Sequence, residues 1–311
     1  MATMKAIRIH QFGGPEQLEL ETIERPVADV GEMLVRVEAA GVNPVDGKTR
    51  EGKFPPIPAG KLPITPGRDI YGEVVASCDA ANGFEIGDKL YAMLDLFHGG
   101  YAEYAVVSSA EAARPPERLS PTEAAAVPLA ALTAWQGLFI HGELKAGQTV
   151  LIHGGSGGVG HFAVQFAHAK GARVTTTVSG ADVDFALSLG AERAIDYQNE
   201  KFEGTGPYDL VLDLVGGETQ ARSWSVLKPG GALISTLTEP SPERAAELRA
   251  RARRYMTEPS GSQLAEIADL IDDGKVIVAV DTIFELRQAR RAQEYQETGH
   301  PRGKIVLQIG E

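Results

Sequence analysis

Six residues, Gly155-Ser156-Gly157-Gly158-Val159-Gly160, set glycines in the G-x-G-x-x-G spacing. Glycine lets the backbone turn tightly and approach a ligand closely, and a helix that begins here offers N–H groups to phosphate. Alone, such a turn can be purely structural. Its flanks raise its value. "TVLIH" (149–153) before it reads as a buried strand, and Gly158 to Lys170 after it reads as a helix. Strand, glycine turn and helix in one βαβ unit make a dinucleotide cradle, with Ser156, Gly157, Gly158, Val159 and Gly160 at the phosphates. The next strand ends at Val178-Ser179-Gly180. A site for NAD usually carries an acid at that tip, about twenty residues on, to accept from the ribose 2′-hydroxyl. No acid stands at the tip, and Ser179 can donate to a 2′-phosphate. Yet no lysine or arginine follows, and Asp182 and Asp184 lie close by. The stretch argues against a conventional NAD site more firmly than it argues for NADP. The expected cofactor is NADPH, with NADH second.

Metal chemistry finds little support in the same reading. The histidines, His10, His98, His141, His153, His161, His168 and His300, show no metal-ligand spacing. His161 and His168 share a helix face, where packing or surface roles are expected. The single cysteine, Cys78, excludes an intrachain disulfide and a multi-cysteine zinc lobe.

These residues need elements to hold them. Residues 4 to about 119 carry short strand-like runs, among them "MKAIRIH", "EMLVRVEAAG", "IYGEVVA", "DKLYAML" and "YAEYAVV". Turn signals separate them: Gly13-Gly14-Pro15, a proline-rich 55–66 segment, Asn82-Gly83 and Gly99-Gly100. Many short strands at this spacing predict a β-rich, barrel-like domain. At Ser120 the pattern changes. Ser120 and Glu123 form a capping box with Pro121 in the first turn, so a helix begins and runs to His141, broken near Pro128. Strands at 149–153, 173–178, 209–214 and 231–237 then alternate with helices, one over 158–170 and one over 182–189. The strands are almost continuously apolar or β-branched, as in a parallel sheet covered on both faces. The fold class is α/β: a Rossmann doubly wound sheet over 122–275 beside the β-rich domain. The tail reads as strand (275–286), helix (near 285–297) and strand (303–309), returning to the first domain.

The chain has 311 residues, 43% hydrophobic and 23% charged, with a formal net charge of −12. It is long enough for two domains. The closest approach to a basic run, Arg249 to Arg254, reads as a solvated helix face, with a phosphate-binding patch as the minor alternative. Nucleic acid and membrane are therefore not expected as partners. With no leader-like segment near Met4, a cytoplasmic location is expected.

The motifs that follow carry a resemblance along nearly the whole chain: "AAGVNPVDGKTREG" (39–52), "PGRDIYGEV" (66–74), "GDKLYAM" (87–93), "GGYAEYAVV" (99–107), "LTAWQGL" (132–138), "HGGSGGVG" (153–160), "SLGAERAIDY" (188–197), "YDLVLDLVGG" (208–217), "LKPGGALIS" (227–235) and "GHPRGKIVLQI" (299–309). In this order they resemble the medium-chain dehydrogenase/reductase superfamily. Within it they resemble the zinc-independent quinone oxidoreductases related to zeta-crystallin and to alkenal reductases. The resemblance implies a GroES-like catalytic domain built from both chain ends (1–121 and 276–311), a cofactor cleft between it and the Rossmann domain, and a homodimer. In zinc-dependent relatives a cysteine stands where Asn43 is and a histidine where Arg68 is. Asn is a poor zinc ligand and Arg is none, so no metal is expected. Hydride added to a quinone or an enone gives a delocalised oxyanion that needs only modest stabilisation. The expected activity is therefore NADPH-dependent reduction of quinones or α,β-unsaturated carbonyls, small-molecule substrates. A non-catalytic NADPH-binding sensor is the alternative, and a zinc alcohol dehydrogenase a more remote one.

By the same resemblance Asn43 lies beside the nicotinamide and Lys48 near its ribose or the substrate carbonyl. Relatives that reduce quinones often carry a tyrosine at Lys48, a departure that points toward the alkenal reductases. Thr133, Tyr197, Val215, Leu237, Gly303 and Lys304 are expected at the cofactor. Thr133 can instead serve helix packing, and Lys304 can be a solvated lysine at the start of a strand. Phe54, Arg68, Tyr71 and Phe97 fall in segments that border the substrate cleft in relatives, although core packing is the stronger expectation for each aromatic. Arg68 either anchors an anionic substrate group or, the favoured expectation, pairs with Asp46 or Asp69.

Overall fold

A computed structural model describes residues 2–54, 57–77 and 83–310. Cys78, Asn82 of the Asn82-Gly83 turn, and Pro55 and Pro56 of the proline-rich segment lie outside them. In chain order the strands are β1 (Thr3–Arg8), β2 (Glu19–Glu24), β3 (Glu32–Val42), β4 (Asp69–Ser77), β5 (Lys89–Met93), β6 (Tyr104–Ser108), β7 (Ala112–Ala113), β8 (Thr149–His153), β9 (Arg173–Val178), β10 (Arg193–Asp196), β11 (Tyr208–Asp213), β12 (Leu227–Ser235), β13 (Arg251–Arg254), β14 (Val280–Glu285) and β15 (Lys304–Gln308). The helices are α1 (Pro44–Arg50), α2 (Pro121–Ala125), α3 (Pro128–Trp135), α4 (Gly160–Ala169), α5 (Val183–Ser188), α6 (Gly217–Ser223), α7 (Pro242–Leu248), α8 (Gly261–Asp272) and α9 (Ala289–Thr298).

The chain divides into two units. The first holds Met1–Leu129, Pro259–Asp272 and Val278–Glu311, and the second Ala130–Glu258 and Asp273–Ile277. In the first, β14-β15-β3-β4-β5-β7 form one sheet, β6 pairs with β3, and β1 and β2 form a separate ladder. The long β3 is central to the unit, pairing with β15, β4 and β6, because most of its residues are apolar and buried. Met33, Val35, Val37, Ile70, Val74, Leu90, Ile305 and Leu307 meet in its core. The tail returns here, as β15 lies antiparallel to β3 with Ile305 opposite Val42.

The boundaries shift from the expected ones. Residues 122–129 and 259–272, placed with the Rossmann domain by their pattern, pack in the first unit. Ala125 of α2 and Ala126 just after it sit against Ala39 and Val306, and the Tyr91 hydroxyl donates to the Leu264 carbonyl of α8 at 2.6 Å. The Ser120 capping box forms, with the Ser120 N–H donating to Glu123 Oε2 at 2.9 Å. The break near Pro128 also forms, since α2 ends at Ala125 and α3 begins at Pro128. Beyond Trp135 the helix loosens into a π-helical turn, Gln136–His141.

The second unit is a six-stranded parallel sheet in the order β10-β9-β8-β11-β12-β13. Strand order reverses between β8 and β11, and ligands of doubly wound sheets bind at the carboxyl ends beside such a switch point. One expectation fails here. Arg249 to Arg254 is not a helix face, because its last four residues form the edge strand β13, parallel to β12. An edge strand tolerates charge here because its side chains alternate between exposed and half-buried and reach solvent. The Arg251 guanidinium donates to the Gly142 carbonyl at 3.0 Å and pairs with Glu143 at 2.9 Å. In the tail, only Val280–Glu285 of 275–286 is strand.

Candidate active site

In the second unit the cradle is built by backbone necessity. Gly154 has φ +77°, a left-handed conformation that favours glycine. A Cβ on Gly155 would lie 2.1 Å from Thr176 Oγ1, and one on Gly160 would lie 2.0 Å from the Gly154 carbonyl oxygen. These two glycines serve the protein's own packing of turn, β9 and α4. Gly157 differs, since its Cβ would meet only the Gly154 oxygen at 3.5 Å, an ordinary contact. Nothing in the protein requires glycine there, so the space fits a close-lying ligand such as a pyrophosphate. His161 is buried and its Nδ1 lies 3.0 Å from the Gly157 carbonyl. His168, expected on the same helix face, is exposed.

Asp213, at the end of β11, holds the neighbouring loop. Its carboxylate accepts from the N–H groups of Val215 (3.1 Å) and Gly216 (2.7 Å), from Gln220 Nε2 (2.9 Å) and from Ser235 Oγ (2.8 Å). Ser235 Oγ in turn accepts from the Leu237 N–H at 3.1 Å. Val215 is half exposed, with Cγ2 3.6 Å from where a Gly154 Cβ would stand, and Leu237 packs over Gly216. The cradle, Val215 and Leu237 therefore gather at the switch point. Thr133 is tied to the segment after β13. Its hydroxyl lies 2.7 Å from Thr257 Oγ1, and its carbonyl accepts from the Tyr255 hydroxyl at 2.5 Å.

At the tip of β9 the Ser179 hydroxyl donates to Asp182 Oδ2 at 2.9 Å. Tyr197 follows β10, 55% exposed, and its N–H bonds the Val178 carbonyl at 3.1 Å. His153 lies beneath the cradle with Nδ1 3.0 Å from Thr177 Oγ1 and Nε2 2.9 Å from Ser223 Oγ. Burial presses its pKa down to about 4, so the ring is neutral.

In the first unit the Asn43 and Arg68 motifs meet a lysine from the far end of the sequence. Asn43 Nδ2 donates to Asp69 Oδ2 at 2.8 Å, and Asn43 Oδ1 accepts from Lys304 Nζ. Lys304 is 3% exposed and also donates to the Val42 carbonyl at 3.3 Å and to Asp69 at 3.4 Å. It is not a solvated lysine, because β15 lies against β3 and carries the ammonium into the interior. Leu129 N–H donates to Asp69 Oδ1 at 2.6 Å. Gly41 makes the crowding feasible, as a Cβ there would lie 2.6 Å from the Ala125 oxygen and 2.8 Å from Asp69 Oδ2. Gly303 has φ +84°.

A second buried acid adjoins this group. Asp46 Oδ2 accepts from the Asn43 N–H at 2.8 Å and from the Tyr101 hydroxyl at 2.9 Å. Burial, aided by the charge of Asp69, pushes the Asp46 carboxyl up to about 7, against the pull of those hydrogen bonds and of Lys304. Burial likewise holds the Tyr101 hydroxyl well above its ordinary value.

Arg68 corrects an expectation. It forms no ion pair with Asp46 or Asp69, and its Nε donates to the Leu94 carbonyl at 2.6 Å. Backbone pairing of Arg68 with Leu94, beside the β4–β5 ladder, draws the side chain that way. Burial lowers its pKa, while the charges of Asp46, Asp69, Asp95 and Glu111 act against that shift. Phe97 is 52% exposed, with Lys61 Nζ 5.9 Å from its ring centre. Phe54 is half-buried, and its carbonyl accepts from the Thr49 hydroxyl at 3.3 Å. Tyr71 does not join the Asn43 group: it packs on Ala39, Ala125 and Val306, near Glu38, Lys89 and Glu73. Lys48 is exposed on α1 and forms no ion pair among the described residues.

The sequence reading missed Asp213 and Tyr101, and it saw Asp46 only as a partner for Arg68. A carboxylate closing an apolar strand was a usable signal for Asp213. Nothing local marks Tyr101 as the partner of Asp46.

With this geometry in hand, comparison with known proteins is informative. Residues 29–117 match the family of the alcohol dehydrogenase GroES-like domain, and residues 189–307 that of the zinc-binding dehydrogenases. An NADPH-dependent alkenal/one oxidoreductase from the chloroplast of Arabidopsis thaliana is 34% identical over 98% of this chain and 79% of its own length. The structure of a quinone oxidoreductase from Coxiella burnetii superposes with a TM-score of 0.91 at 37% identity, covering 99% of this chain and all of that one. A mycobacterial protein solved in complex with NADPH gives a TM-score of 0.87 at 29% identity, over 98% of this chain and 99% of its own.

Proposed function

Because the chain belongs to the medium-chain dehydrogenase/reductase superfamily, in its quinone oxidoreductase branch, we propose that this oxidoreductase uses NADPH to reduce quinones or α,β-unsaturated carbonyls without zinc. The observation that carries the proposal is the buried group Asn43, Asp69 and Lys304. Zinc takes thiolate, imidazole or carboxylate. Here Asn43 offers an amide, Arg68 is a cation, and Asp69 already accepts from Asn43 and Leu129 with Lys304 beside it. An ammonium supplies positive charge in the surroundings of these three positions, so the residues do not fit the metal named for one of the matching families.

The bound cofactor supplies the hydride, and the protein must orient the acceptor and stabilise its oxyanion. Lys48, exposed and without an ion pair among the described residues, suits the second task. Asn43 has its amide oxygen and one amide hydrogen committed inside the unit, which fixes its orientation. Lys48→Ala is expected to lower kcat with alkenal acceptors by about ten- to a hundredfold, with NADPH affinity little changed. The assay is NADPH consumption by the purified protein with benzoquinone-type and 2-alkenal-type acceptors. Inertness toward both panels, with cofactor bound, would refute the proposal and favour a binding protein.

We also propose a homodimer. Its support is the edge strand β13, whose outer side carries ladder groups that a second copy can pair.

A further inference from the structure

We propose that Asp182 sets how far this chain discriminates NADPH from NADH, by holding a carboxylate on Ser179, whose hydroxyl stands at the tip of β9 where it could donate to a 2′-phosphate. The inference rests on the cradle being a dinucleotide site. The tip that follows it reads differently in three dimensions than along the sequence. Ser179 Oγ does not point out as an idle donor, because it gives its hydrogen to Asp182 Oδ2 at 2.9 Å. The Asp182 N–H returns a bond to the Ser179 carbonyl, also at 2.9 Å. Across the tip a Gly180 Cβ would lie 2.7 Å from Asp196 Oδ2. Asp196 is anchored in that place by the Gln198 N–H at 3.0 Å and by Asn199 Nδ2 at 2.6 Å. Two carboxylates thus flank Ser179-Gly180. Residues 174–192 include no lysine or arginine, and the next cation, Arg193, pairs with Glu200 at 3.3 Å.

A 2′-phosphate placed at this tip must take the Ser179 hydroxyl from Asp182 and stand in the field of both acids. A ribose with free hydroxyls meets acceptors instead. The acid that a conventional NAD site carries on the strand end is supplied here from the turn after it. The chain is therefore expected to bind NADPH with no more than about a fewfold advantage over NADH, since a single nearby charge is worth only about that much in water.

A second explanation is that the Ser179–Asp182 pair merely closes the 3-10 turn Gly180–Asp182. Asp182→Asn separates the two, because the amide keeps an oxygen for Ser179 and removes the charge. Dissociation constants for NADPH and NADH are measured by calorimetry on the wild-type protein, Asp182→Asn and Asp182→Ser. The expected result is NADPH binding tightened about five- to tenfold in both variants, NADH changed less than about threefold, and the gain shrinking as salt rises. A wild-type preference for NADPH of about a hundredfold or more, or variants that shift both cofactors alike, would overturn the inference. Binding of neither cofactor to the wild-type protein would overturn the cradle reading together with it.

Discussion

Lys304 and Asp69 form a pair that neither residue can leave cheaply. Removing one partner of a buried ion pair strands the other charge, at a cost of about 3–5 kcal/mol. Lys304→Met is expected to lose about that much stability in urea unfolding, and a loss under about 1 kcal/mol would contradict the buried pair. Asp46 makes a pH prediction with a definite sign. Its carboxyl is raised to about 7 when folded, against an ordinary value of 3.8. Its contribution is therefore fully present below about pH 4 and is lost as pH rises through 7. Asp46→Asn has no such proton to lose. Its stability relative to wild type is expected to improve between pH 5 and pH 8 in paired thermal melts, and parallel profiles would contradict the raised carboxyl.

At the scale of elements, the glycine turn separates folding from binding. Gly160→Ala forces a Cβ into the Gly154 carbonyl, and its loss in unfolding experiments is expected to exceed about 2 kcal/mol. Gly157→Ala meets only an ordinary contact with the Gly154 oxygen at 3.5 Å, so stability is expected within about 1 kcal/mol of wild type while dinucleotide affinity falls at least about tenfold. Equal effects of the two substitutions on stability would refute this division. The turn was readable because β8 and β9 are nearly unbroken runs of β-branched and apolar residues, with a helix pattern between them. The edge strands β10 and β13 were not readable. Arg193–Asp196 and Arg251–Arg254 are short and charged, and only their place at a sheet edge makes them strands. The candidate site was half legible for a related reason. Local motifs reveal Asn43 and Arg68, but Lys304 reaches Asn43 across 261 residues of sequence and Tyr101 reaches Asp46 across 55. Arg50 is another such case. It is fully buried, with its donors on the Gly13 carbonyl, Gln293 and Glu297, and so ties α1 to α9.

For the whole molecule, no helix among the described residues is long and apolar enough to cross a membrane, and the net charge of −12 disfavours nucleic acid as a partner. The proposed homodimer predicts a solution mass of about twice 33.1 kDa by light scattering; a monomer at micromolar concentration would remove β13 as its interface. The central claim is hydride delivery to a conjugated acceptor with Lys304, not zinc, beside Asn43 and Asp69. Its most direct test is the turnover of a 2-alkenal by NADPH after exhaustive treatment with a chelator, with zinc content measured on the same sample. The prediction is an unchanged rate at negligible zinc. Loss of turnover that returns on adding one equivalent of zinc would contradict it.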